Sequence, residues 1–104
     1  MFPSKGIKSE LMPKRKVTDT EIKADIMNKL LRKNCWGAKY LPIEALVSWI
    51  AKRIKKNGKR IRRNIKELVN NGYLLIHKGG RTISLNPTMS REILEYIEKI
   101  IERD

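Results

Sequence analysis

The run Tyr73-Leu74-Leu75-Ile76-His77-Lys78-Gly79-Gly80-Arg81-Thr82-Ile83-Ser84-Leu85-Asn86 constrains the fold more than any other stretch of the chain. Two strand-like runs flank Gly79-Gly80, a pair suited to a two-residue hairpin loop because Gly reaches the positive-φ conformations such loops require. Closing the loop at Lys78 and Arg81 sets Ile76 opposite Ile83 and Leu74 opposite Leu85, so four aliphatics share one face. Tyr73, Leu75 and His77 then oppose Asn86, Ser84 and Thr82 on the other face.

Helical spacing surrounds this hairpin. Thr18 and Glu21 stand at capping-box spacing, and Ile22, Ile26 and Leu30, with Met27 and Leu31, predict a helix to about Lys33. Asn34 to Tyr40 reads as a connection, and Tyr40-Leu41 as a very short strand before Pro42, which suits a helix start. Ile43, Leu46, Val47, Ile50 and Ile54 line a second helix, interrupted at Lys55-Lys56-Asn57-Gly58. A third helix runs from Lys59 with Ile61, Ile65, Leu68 and Val69 inside, and Asn71-Gly72 ends it. After Asn86-Pro87, with Thr88 or Ser90 as cap, Ile93, Ile97, Ile100 and Ile101 define a C-terminal helix over 89–103 whose outer side is acidic.

At 104 residues the chain holds one domain, read as a basic arm over 1–17 followed by a folded unit over 18–104. Twenty-four Lys and Arg against eleven Asp and Glu leave a net charge of +13. The lack of Gln and the many Lys, Glu and Ile residues fit an archaeal-like, heat-adapted composition. Heat adaptation enriches both signs together, so the cationic surplus points instead to a polyanionic partner. Residues 55–72 concentrate it, with seven cations against the single Glu67.

At about 100° per residue, Lys56, Lys59, Arg63, Lys66 and Asn70 project opposite the Ile61/Ile65/Leu68 face, flanked by Arg60 and Arg62, with Lys55 in the preceding turn. A solvated helix face alternates charge signs for i, i+4 pairing, whereas this one forms a basic stripe. Arg63 is central to it, and its replacement by Ala is expected to weaken binding. Lys78 and Arg81 flank the Gly-Gly tip as candidate phosphate contacts, and Lys14, Arg15 and Lys16 form a cluster in the arm.

The order helix, short strand, helix, tight turn, basic helix, Gly-tipped hairpin over residues 18–86 resembles the winged helix-turn-helix superfamily. The resemblance implies an α+β fold: a three-helix core, a two-stranded β-hairpin wing and a C-terminal helix. It implies a recognition helix at about Lys59 to Asn71 and a wing at Tyr73 to Asn86. The expected function is nucleic-acid binding, with double-stranded DNA as partner for a transcription regulator or small chromatin protein. The alternative is a ribosome-associated or other RNA-binding protein, favoured by the basic arm. Met89, Ile93, Leu94, Ile97, Ile100 and Ile101 span an apolar arc wide enough for a homodimer contact through the C-terminal helix, or for burial against the first helix in a monomer.

Cys35 is the only cysteine and His77 the only histidine, so neither an internal disulfide nor a Cys/His zinc site can form from one copy. No metal, cofactor or catalytic residue is expected, since no nucleophile–base pair, paired carboxylates or phosphate-binding Gly loop is present. No apolar run reaches membrane-spanning length and the polar N-terminus lacks a signal-peptide core, so no membrane partner is expected and the location reads as cytoplasmic. Packing is the reading for Trp36, Tyr40 and Trp49.

Overall fold

Thr18 caps the first helix as its spacing to Glu21 predicts. The computed structural model describes residues 17–54 and 58–101. Thr18 Oγ1 accepts from the Glu21 N–H at 3.1 Å, and Glu21 Oε1 accepts from the Thr18 N–H at 3.0 Å. Helix α1 (Asp19–Arg32) buries Ile22, Ala24, Ile26, Met27 and Leu30. Val17, expected within the arm, instead packs against the core. The rest of the arm lies outside the described residues.

Asn34, at φ 56°, turns the chain after α1, a conformation Asn tolerates better than most side chains. Cys35 is then drawn into the core, its carbonyl accepting from the Leu85 N–H at 2.8 Å. Strand β1 (Leu41–Pro42) includes Pro42, which the sequence had suggested as a helix start. Proline is tolerated there because β1 is an edge strand. Helix α2 (Ile43–Ile54) follows, burying Leu46, Val47 and Ile50.

Helix α3 (Gly58–Asn70) buries Ile61, Ile65 and Leu68, as its apolar spacing predicts, and also Asn64. Gly72, at φ 88°, closes it: its N–H reaches Val69 O and that of Tyr73 reaches Leu68 O, both at 3.0 Å. That is the paired arrangement that satisfies otherwise orphaned helix carbonyls.

Strands β2 (Leu74–His77) and β3 (Thr82–Leu85) pair with Leu74 opposite Leu85 and Ile76 opposite Ile83, the register the aliphatic pattern demands. Two details differ from expectation. The last pair is His77–Thr82, so the loop spans four residues, not two; Lys78, Gly79 and Gly80 all take positive φ, at 51°, 64° and 94°. The hairpin is also not alone: β1 pairs antiparallel with β3, giving a three-stranded sheet in the order β1-β3-β2.

Asn86 caps the turn that follows, accepting from the Thr88 N–H at 3.1 Å while its own amide donates to Gly72 O at 2.8 Å; the last helix starts after Met89 with no side-chain cap from Thr88 or Ser90. Helix α4 (Ser90–Ile100) packs on α1 and buries Ile93 and Ile97. Ile93 and Ile97 of the apolar arc are thus buried within the chain, the monomer alternative for these two positions, and Leu94 is 46% exposed. The described residues form an α+β architecture of four α-helices and one antiparallel sheet around a single apolar core.

Candidate nucleic-acid interface

Arg60, Asn64 and Glu67, spaced by four and then three residues along one side of α3, dock on α1. Asp19, in the first turn of α1, accepts from Arg60 Nε at 2.8 Å and from Asn64 Nδ2 at 3.1 Å. Asn64 Nδ2 also donates to Arg60 O at 3.0 Å, and its carbonyl oxygen accepts from Lys23 Nζ at 2.8 Å. Lys23 reaches Glu67 at 2.6 Å. With both ends of its amide engaged, Asn64 is fully buried at little desolvation cost.

This seam sorts the predicted cations. Arg60 is committed inside the domain, since Nη2 also donates to Val17 O at 2.6 Å. Arg62 grips Glu44 of α2 with two parallel 2.8 Å bonds. Arg63, more than half exposed, lies 3.6 Å from Asp19 and 4.0 Å from Glu67, contacts too long to hold it firmly. Lys59 and Lys66 are exposed and have no acidic partner among the described residues. The stripe read from the sequence is thus narrower, and its unengaged charge rests on Lys59 and Lys66, with Arg63 loosely held. Lys55 and Lys56, like Lys14, Arg15 and Lys16, lie outside the described residues.

The same contacts set the local acidities. Hydrogen bonds from Asn64, then from Arg60, hold the Asp19 carboxyl below the usual carboxylate range, with the Arg60 and Arg63 charges adding to them against some desolvation. Glu44 is lowered chiefly by its bonds to Arg62, whose own pKa rises in return.

At the hairpin, Lys78 sits with its ammonium 5.6 Å from the Tyr40 ring centre, and Tyr40 lies against the His77 imidazole at 4.8 Å. Ser84 Oγ donates its one proton to Gly37 O at 2.7 Å, so at its 3.0 Å contact with His77 Nε2 it acts as acceptor. Ser84 is fully buried. A side chain with its proton committed and no exposure does not serve as a nucleophile, so this pair reads as a strut of the sheet. The sequence did not single out this contact.

Arg81 is exposed while its backbone is anchored: its carbonyl accepts from the Ile43 N–H at 2.9 Å, tying the hairpin to the start of α2. Between hairpin and α3 lies an open groove of about 860 Å³, which brings Lys66 and Asn70 of α3 together with Arg81. Trp49 of α2 is half-buried, with Lys29 and Lys33 of the α1 end 5.5 and 5.2 Å from its ring centre. Among the described residues no cluster of three or more His, Cys, Asp or Glu is arranged to hold a metal, and no helix is long and apolar enough to cross a membrane. Comparison with known proteins finds no matching family model, no matching curated protein and no matching solved structure.

Proposed function

We propose that this chain is a winged helix-turn-helix module that binds double-stranded DNA, with α3 as the recognition helix and the β2–β3 hairpin as the wing. The observation that carries the reading is the division of charge on α3. Its carboxylate contacts gather on the seam with α1 and at Glu44, while Lys59 and Lys66 stay exposed without an acidic partner among the described residues.

A helix with one apolar side, one polar seam holding it rigid and one cationic side suits entry into the major groove, where Lys and Arg neutralise phosphates and Arg grips guanine. Arg81 adds a cation across the groove from α3, while Lys78, also exposed on the loop, lies over the Tyr40 ring. A rigid frame supports this use, because a preformed cationic face loses less freedom on binding. The role that fits is a transcription regulator or a small chromatin protein.

Fluorescence anisotropy with labelled mixed-sequence duplex DNA and structured RNA of matched length tests the reading. Tighter binding of the duplex is expected, weakening as salt rises. A preference for the RNA would replace DNA by RNA as the partner, and no binding of either would end the proposal.

A further inference from the structure

Ile76 faces Ile83 across the hairpin yet is 50% exposed, whereas Ile83 is fully buried. The reason is position: β3 is the central strand and lies over the core, while β2 is an edge strand and its Ile76 lies beside the core. The exposed side chain lines the groove between hairpin and α3, together with Pro42, Ile43, Ile65 and Val69. An apolar concavity on the face otherwise given to cations is a mismatch for an intact duplex, which presents phosphates and hydrated grooves there.

Resting on the reading of α3 and the hairpin as a nucleic-acid face, we infer that this groove receives a nucleobase turned out of the stack, at a bulge, mismatch or strand junction.

Charge complementarity selects this occupant. Lys66 and Arg81 stand at the groove and are exposed, while Arg62 and Glu44, which both line it, neutralise each other and leave the two other cations in surplus. A neutral apolar peptide or a second copy of this cationic chain would leave those charges unmatched at a partly dehydrated contact. A nucleotide within a strand carries what the groove asks for: an apolar plane with anions on either side. The Asn70 side chain, exposed at the same groove, offers both a donor and an acceptor to a base edge.

Size and rigidity agree. A volume of about 860 Å³ lies in the range of small-molecule sites, roughly 300–1,000 Å³. The walls are preformed, since the pairing of Leu41 with Ile83 and of Pro42 with Thr82 fixes the hairpin against the start of α2. Apolar side chains that cradle or wedge displaced bases act by this same exchange of stacking for burial.

The test compares a fully paired duplex with the same duplex carrying one extra thymine in one strand, titrated by anisotropy against the full chain and its Ile76→Ser, Val69→Ser and Lys59→Ala variants. Ile76 is half exposed and Val69 only partly buried, so neither serine variant removes a core anchor, and circular dichroism verifies their folding. The wild-type chain is expected to bind the bulged duplex about tenfold more tightly. Ile76→Ser and Val69→Ser should bring the ratio close to one, while Lys59→Ala, away from the groove, weakens both duplexes and keeps the ratio. A wild-type ratio near one, or a preference that survives both serine variants, overturns the inference and leaves duplex binding intact. Failure to bind either duplex overturns the proposed function and this inference with it.

Discussion

Asn64 Nδ2 lies 3.1 Å from Asp19 Oδ1, and this contact fastens the middle of α3 to the first turn of α1. It fixes which side of α3 is spent on the fold and which stays exposed. Asp19 is also well sited on its own helix, since a carboxylate in the first turn meets the positive end of the helix dipole.

Asn64→Ala is expected to destabilise the domain by about 2–3 kcal/mol, the scale for stripping a buried amide from its partners and leaving them unmatched. Urea unfolding with an unchanged m-value measures it. A loss below about 0.5 kcal/mol would show that the seam is not a structural joint.

Stability should depend on pH through Asp19. Its folded-state pKa is depressed below the unfolded value, so its contribution is fully present above the ordinary carboxylate range and is lost as pH falls through the folded pKa. The advantage of the wild-type chain over Asp19→Asn should therefore hold above about pH 5 and shrink on acidification below about pH 4. Denaturation midpoints across that window read it directly; a constant gap would contradict the account.

Cys35 should resist thiol reagents in the native chain. It is 1% exposed and burial raises its thiol pKa, with Lys39 and Lys33 only partly opposing. Labelling should be slow under native conditions and complete on unfolding in denaturant. Fast native labelling would mean that the segment after α1 opens readily.

Glu44→Gln should strengthen DNA binding by up to about fivefold, the scale of an exposed ion pair, because it frees Arg62 from its bidentate partner. Unfolding midpoints should barely move, since both side chains are largely exposed. Weakened binding would mean that the pair acts as a unit in positioning Arg62.

Much of the sheet was legible because turn chemistry and aliphatic alternation agreed on one register, Leu74 with Leu85 and Ile76 with Ile83. The loop length was not, because the three positive-φ residues include Lys78, whose identity does not announce that conformation. Pairing of β1 with β3 escaped notice because two residues carry no alternation to read. Asn64 was missed for a similar reason. Within a basic run an Asn looks solvated, and its burial depends on Asp19 and Lys23, more than forty positions earlier. The pairing of Arg60 and Arg62 could not be read from the stripe, since they find carboxylates that only the tertiary fold brings near.

The most direct measurement is the salt dependence of duplex DNA binding by anisotropy for the wild-type chain, the Lys59→Ala/Lys66→Ala double variant and Glu95→Ala on the outer side of α4. Each lost phosphate contact lowers the slope of log K against log salt by about 0.9, so the double variant should lose about 1.8 while Glu95→Ala keeps the wild-type slope or binds more tightly. A double variant with undiminished affinity and slope, or binding lost in Glu95→Ala, would contradict the assignment of α3 as the DNA-binding face.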